Sequence, residues 1–225
     1  MTDAGFDALV TRLKRLDSGA VSDALDRIGL IGVAPAIHPL FPTDKIAGPV
    51  VTVRLTPADG RPSARHLGTA AVEAARAGDV IVVDNGGRIA MAGWGGNLAL
   101  AAKRAGVAGV IVDGVARDVD EVRDHGLALY ARGATPVTAR GRVVEDAFNG
   151  PVRIAGVPVE PGDLVIADAS GVVFVPASRA AEVVAVAERI VAREGAMAAR
   201  IRAGEPVTAV MGGDYEKMLT RDRVG

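Results

Sequence analysis

Arg117-Asp118 sets a guanidinium beside a carboxylate. The pair follows the apolar run Val107–Asp113 and opens an amphipathic stretch, Val119–His125, so it is expected where a strand ends and a helix begins. Glu121 stands three positions after Asp118, and residues 97–116 separate Arg117 from Gly96, giving the pattern Gly-x20-Arg-Asp-x2-Glu. One carboxylate is enough to hold Mg²⁺ or Mn²⁺, because magnesium takes one or two protein carboxylates and keeps several waters. Arginine grips a carboxylate or a carbonyl oxygen better than lysine does. Together Asp118, as a metal ligand, and Arg117, as an oxyanion ligand, point to chemistry on a small oxo-acid. The plainer reading is that Asp118 caps its helix and Arg117 pairs with Asp120 or Glu121.

Two further features could serve such a site. Gly95-Gly96-Asn97-Leu98 is expected at the start of a helix, where unpaired N–H groups and the positive end of the dipole hold carboxylates or phosphates. The segment lacks the Lys of a phosphate-binding loop and the full dinucleotide fingerprint, and a Gly-rich turn is most often only a turn. In the last helix Val183, Ala187, Ile190, Met197 and Ile201 mark an apolar stripe, and Glu194 fills a gap in it. A carboxylate there is either a rim residue paired with Arg193 or Arg200, or an acid delivered to an active site, such as that of a neighbouring subunit.

The remaining chemistry-bearing side chains offer less. His38, His66 and His125 share no metal-ligand spacing and are expected on the surface or in loops. Lys14, Lys45, Lys103 and Lys217 are poor Schiff-base candidates, since imine chemistry needs a desolvated amine and these lie in helices, a loop and a polar tail. Asp84 and Asp113 each end an apolar strand and could point into the site as supporting groups.

The elements that must position these residues are readable from periodicity. Phe6 to Leu16 has helical spacing, and a second helix, capped by Asp17 or Ser18, runs through Arg27 to Gly29. Residues 30–45 read as loop, Gly48–Leu55 as a strand, Arg65–Ala77 as a helix stopped by Gly78, and Val80–Asp84 as a buried strand turned by Asn85-Gly86-Gly87. Helix Leu98–Ala105 and strand Val107–Asp113 then imply a βαβ crossover, followed by helix Val119–His125 and strand Leu127–Ala131. Short β runs follow at Val152–Ile154, Val157–Val159, Leu164–Ile166 and Val172–Val175. A long helix from Ser178, its cap, to Ala203 is ended by Gly204. The expectation is one α/β domain, 1–225, with a β-rich second half and helical N- and C-terminal ends.

Composition narrows the function. The chain has 225 residues, 49% of them hydrophobic and 24% charged, ordinary values for a soluble globular protein long enough to bury a core. A net charge of −1 without a basic stripe argues against nucleic acid, and 3% aromatic residues supply few stacking surfaces. The absence of cysteine excludes disulfides, thiolate zinc sites and a cysteine nucleophile, and fits a cytoplasmic setting. No apolar run reaches membrane-spanning length, and the N-terminus has no apolar signal core.

From Gly78-Asp-Val-Ile-Val-Val-Asp-Asn-Gly-Gly87, through Trp94-Gly-Gly-Asn97, to Val112-Asp-Gly-Val-Ala-Arg-Asp118, the sequence resembles the 4-hydroxy-4-methyl-2-oxoglutarate / 4-carboxy-4-hydroxy-2-oxoadipate aldolases, of the superfamily that includes the regulators of ribonuclease E activity. The likeness covers roughly residues 18 to 205. The regulators lack the Asp after the Arg, so Asp118 favours the aldolase branch. The resemblance implies a swivelling β/β/α fold like that of phosphohistidine domains, assembled as a homotrimer or homohexamer with sites between subunits. It implies a class II aldolase that releases pyruvate and also decarboxylates oxaloacetate. Asp118 would bind the Mg²⁺ or Mn²⁺, Arg117 the keto-acid oxygen, and the backbone of Gly95, Gly96, Asn97 and Leu98 the carboxylate. An acid from the adjacent subunit, matched by rough position to Glu194, would assist. Asn97 departs from the family, which often has an apolar or acidic residue there. The alternatives are a non-catalytic ribonuclease regulator and, on fold analogy alone, a phosphoryl carrier.

Overall fold

A computed structural model describes residues 3–63 and 65–212; Lys217 lies outside them. In chain order the elements are α1 Asp3–Leu13, α2 Ser18–Ile28, β1 Val33–Ala34, β2 His38–Pro39, β3 Ile46–Pro57, α3 Thr69–Ala74, β4 Val80–Ala92, α4 Gly96–Arg104, β5 Gly109–Ala116, α5 Val119–Asp124, β6 Ala128–Ala134, β7 Val143–Phe148, β8 Val152–Ile154, β9 Val157–Val159, β10 Leu164–Asp168, β11 Gly171–Val175, α6 Ala180–Arg202 and α7 Val207–Val210. Nine strands form one mixed sheet in the order β1-β11-β10-β3-β4-β5-β6-β2, with β7 on β3. Strands β3 to β6 are parallel, and β10 and β11 run antiparallel. This is the mixed α/β architecture with helical ends expected from the sequence.

Strict alternation explains why the parallel strands are buried on both faces. Ile81, Val83, Val110, Val112, Leu129 and Ala131 point to one core, shared with α3, α4 and α5. Val80, Val82, Ile111, Ala128 and Tyr130 point to another, closed by the β8–β9 hairpin and by Val165, Ala167, Val172 and Phe174 of β10 and β11. The opposite face of β10 and β11, with Leu164, Ile166, Val173 and Val175, packs on α1, α2 and α6. The long strand β3 joins these layers, placing Ala47, Val50 and Val51 in three different cores.

Local signals decide most boundaries. Asp17 caps α2 by accepting from the Ala20 amide, and Gly29, in the left-handed region at φ 79°, ends it. Several expectations are corrected. The helix expected over Arg65–Ala77 is only α3, because Gly68 precedes it in a left-handed conformation and Ala75 is already extended. Asn85-Gly86-Gly87 does not turn the chain. Asn85 is buried and donates to Met91 O at 3.2 Å, so the segment bulges and β4 resumes its pairing with β5 at Arg88 and Ala92. Ser178 does not cap the last helix; it sits in a 3₁₀ turn, Ala177–Arg179, that leads into α6. In strand β7, Val143–Phe148, Glu145 and Asp146 break the apolar run, and the strands inside the 30–45 loop are two residues long, so none of them shows a period. No helix among the described residues is long and apolar enough to cross a membrane.

One ionisable group ties the N-terminal helices to the sheet. Asp168, at the end of β10, accepts from the Ser18 amide (2.8 Å), the Ser18 hydroxyl (2.7 Å) and the Ser170 amide (2.9 Å). Burial alone would raise its pKa; the Ser18 and Ser170 bonds and nearby Lys45 outweigh that and hold it below the usual carboxylate range. A depressed folded pKa contributes stability that is fully present above the unfolded value and lost as pH falls through the folded one. Asp168→Asn is therefore expected to be less stable than wild type at pH 7, with the difference shrinking towards pH 3 in urea denaturation followed by circular dichroism.

Candidate active site

Parallel sheets collect ligands at the carboxyl ends of their strands, where the loops diverge. Here β4 leads through Gly93-Trp94-Gly95 into α4, and β5 leads through Arg117-Asp118 into α5. Two backbone bonds clamp these loops together, Gly93 N to Val115 O (2.8 Å) and Arg117 N to Trp94 O (3.0 Å). The cleft between them has a volume of about 190 Å³, walled by Trp94, Gly95–Leu98, Arg117 and Asp118 and closed by His66 and Arg140. The same Arg117-Asp118 pair borders a shallower groove of about 520 Å³ on its other side.

Asp118 has φ 56° and ψ 39°, a left-handed backbone that few residues other than glycine tolerate. Such outliers persist where their surroundings hold them, and they gather at functional sites. Its carboxylate does not cap α5. It reaches across to the Gly96 amide (3.2 Å), the first N–H of α4, and accepts from Arg117 Nε at 3.0 and 3.1 Å. Arg117 therefore pairs with Asp118 itself, not with Asp120 or Glu121, and Asp120 pairs with Arg123 instead. Only Nε is used, so both terminal nitrogens of Arg117 lack a partner among the described residues. The Asn97 and Leu98 amides also lack an acceptor, because the helical ladder begins with Ala99 N to Gly95 O.

The spacing Gly-x20-Arg-Asp-x2-Glu becomes a packing unit. The Glu121 carboxylate lies where a Cβ at Gly96 would be, and a Cβ at Gly95 would stand 3.0 Å from Asp118 Oδ2 and 3.1 Å from Arg117 Cγ. Glycine at both positions lets the two loops close on each other. Trp94, 2% exposed, forms the floor of the cleft, and its indole nitrogen has no acceptor among the described residues.

A divalent cation fits Asp118 on this geometry. Its two bonded neighbours leave lone pairs free, since a carboxylate has about four acceptor positions. No group of three acidic or histidine side chains suited to a metal exists among the described residues. With lone pairs left on one carboxylate, Asp118 suits an ion that takes the rest of its shell from water and substrate oxygens, as Mg²⁺ or Mn²⁺ does.

A family model described as RraA-like, Aldolase/RraA, matches residues 18–174. The chain belongs to the RraA-like family. A curated relative from Halalkalibacterium halodurans, named "Putative 4-hydroxy-4-methyl-2-oxoglutarate aldolase", is 34% identical over 78% of this chain and 80% of its own. Protein DlpA of Legionella pneumophila is 34% identical over 78% of this chain, which spans only 29% of DlpA's length. The crystal structure of Streptomyces coelicolor RraAS2, described as an unusual member of the RNase ES inhibitor RraA protein family, superposes with a TM-score of 0.78 at 32% identity, covering 87% of this chain and 98% of that one.

Within this RraA-like chain the cleft brings together Gly95, Gly96, Asn97, Leu98, Arg117 and Asp118. It does not include Glu194, which sits half-buried on α6 in the other helical layer. Arg200 pairs with Glu205, not with Glu194. Burial, then Asp23 and Asp17, push the Glu194 pKa up. Asp84 and Asp113 also face away from the cleft. Asp84 accepts from the Gly86 and Arg153 amides, and Asp113 from Arg132 Nε (2.6 Å) and the Ala155 amide (2.6 Å), so both latch the β8–β9 hairpin to the sheet. His66, Thr138 and Arg140 were not legible as site residues, because they stand in irregular segments whose position only the fold sets.

Proposed function

We propose that this RraA-like protein is a class II, divalent-metal-dependent aldolase. It cleaves a 4-hydroxy-2-oxo acid, of the kind of 4-hydroxy-4-methyl-2-oxoglutarate or 4-carboxy-4-hydroxy-2-oxoadipate, to pyruvate and a keto acid, and it decarboxylates oxaloacetate as a side activity. The observation that carries this reading is the convergence of Asp118, the unpaired end of Arg117 and the open α4 amides on one small cleft. The names of the aldolase relatives support it.

Asp118 would hold Mg²⁺ or Mn²⁺, which when bound supplies Lewis-acid stabilisation of an oxyanion. The Asn97 and Leu98 amides, at the positive end of α4, receive the substrate's 1-carboxylate. The terminal nitrogens of Arg117 face the 2-oxo oxygen and stabilise the negative charge that gathers there as the C3–C4 bond breaks and pyruvate enolate forms. Loss of the 4-hydroxyl proton starts the cleavage, and protonation of C3 ends it. Glu194 of a second copy, acting through a water, is assigned the proton transfers on its rough position in the family resemblance. That assignment requires a site shared between subunits, and the oligomer we propose is a homotrimer or homohexamer in the cytoplasm.

Arg140 supplies a second cation in the cleft, suited to the distal carboxylate of a dicarboxylic substrate. Arg140→Ala is expected to raise KM for 4-hydroxy-4-methyl-2-oxoglutarate about tenfold with little change in kcat, as for a contact made equally in ground and transition states. An unchanged KM in steady-state assays would remove Arg140 from the substrate's path. The likeness to RraAS2 favours a second reading, a non-catalytic regulator of an RNA-processing enzyme. Asp118 opposes it, and metal-independent binding to such an enzyme without pyruvate release would support it.

A further inference from the structure

Three of the chain's four lysines line one cavity at the opposite end of the sheet from the Arg117-Asp118 cleft. Lys14 follows α1, Lys45 precedes β3, and Lys103 lies in the last turn of α4. The cavity holds about 380 Å³, and Ile46, Ala47, Ala108 and Ala128 form its apolar floor at the amino ends of the parallel strands. Lys45 Nζ donates to the Leu16 carbonyl, and Lys103 Nζ to the Gly126 carbonyl. These bonds place the ammonium groups without neutralising them, and each keeps two further N–H donors. None of the three forms an ion pair among the described residues, whose ion pairs run through arginine or histidine. Lys14 has no hydrogen-bond partner among them either. Asp44 is the acidic side chain lining the cavity, and Asp168 lies near enough to Lys45 to feel its charge, which leaves three positive charges against two negative.

A helix macrodipole accounts for a cation at the end of α1 or of α4. It does not account for Lys45, nor for the gathering of all three exposed ammonium groups from separate segments around one cavity. A bound anion would be held by all three at once. No aromatic side chain lines the cavity, so nothing there would stack a nucleobase. Compact, multiply charged oxyanions suit several rotatable ammonium donors, and Thr43 adds a hydroxyl. We propose that this cavity is a binding site for a small, multiply charged phospho-anion, with Lys14, Lys45 and Lys103 as its ligands. The site is separate from the aldolase reading and stands or falls without it.

The test is isothermal titration calorimetry of the intact chain with inorganic pyrophosphate, at low ionic strength and without divalent metal. Wild type is expected to bind it saturably, and more tightly than orthophosphate. The double variant Lys45→Gln/Lys103→Gln is expected to bind at least about tenfold more weakly. Lys14→Gln, which breaks no hydrogen bond of the described residues, is expected to weaken binding severalfold, and Asp44→Asn to tighten it. Asp118→Asn is expected to leave it unchanged. Absence of saturable binding by wild type, wild-type affinity in Lys14→Gln, or loss of binding in Asp118→Asn would each overturn the proposal.

Discussion

Asp118→Asn is expected to lower kcat/KM for pyruvate release by at least about a thousandfold, since removal of a single preorganised oxyanion-stabilising group already costs on the order of a hundred- to a thousandfold. Asparagine is the informative replacement. It tolerates the left-handed backbone that Asp118 adopts at φ 56°, and its amide oxygen still accepts from the Gly96 N–H. What it removes is the charge, and with it the metal ligand and the ionic bond to Arg117 Nε. Alanine would add backbone strain on the order of 1 kcal/mol and blur the result. The fold of Asp118→Asn should be retained, with a melting temperature near that of wild type. Wild-type turnover in this variant, measured with saturating Mg²⁺ or Mn²⁺, would remove Asp118 from the chemistry.

Asp113→Ala is expected to have the largest effect on stability. The side chain is 6% exposed and receives two bonds of 2.6 Å, from Arg132 Nε and the Ala155 amide. Its removal leaves an arginine without its counter-charge and a hairpin amide without an acceptor. Breaking a buried pair from one side costs about 3–5 kcal/mol; Arg132 keeps a quarter of its surface in water, so a value near 2–3 kcal/mol is expected. The β8–β9 hairpin that Asp113 anchors supplies Val152, Ile154, Val157 and Val159 to the central core, so its release exposes a whole sheet face. Asp113→Asn should lose less, since one acceptor oxygen remains. Chemical denaturation of both variants checks the ranking, and equal stability of Asp113→Ala and wild type would refute the latch.

The parts of the fold that were legible are those where period and punctuation agree. Val80–Val83 and Val110–Val112 read as buried strands because each position has an apolar partner face, and the helix expected over Leu98–Ala105 is legible because glycines precede a helical pattern, although it starts two residues earlier, at Gly96, and ends at Arg104. Arg117 and Asp118 were legible because a strand-to-helix junction places polar side chains at the sheet's carboxyl end. Asp84 and Asp113 end their strands in the same way, yet they serve the hairpin. Nothing in a strand's own sequence says which later segment will cover it. For the same reason Asn85-Gly86-Gly87 looked like a turn; the buried amide of Asn85, bonded to Met91, is a tertiary fact. His66 and Arg140 reach the cleft from irregular segments, where no period marks the inward face. The alternating acid in the α6 stripe was legible as an oddity, but one chain alone gives Glu194 no site to serve.

Pyruvate release from 4-hydroxy-4-methyl-2-oxoglutarate, followed through lactate dehydrogenase with Mg²⁺ and then with EDTA, tests the central claim most directly. The account predicts turnover with the metal, its loss in EDTA and its return on adding Mg²⁺ or Mn²⁺, with oxaloacetate giving pyruvate under the same conditions. Pyruvate formation that EDTA leaves untouched, or none from either acid with metal present, would contradict it.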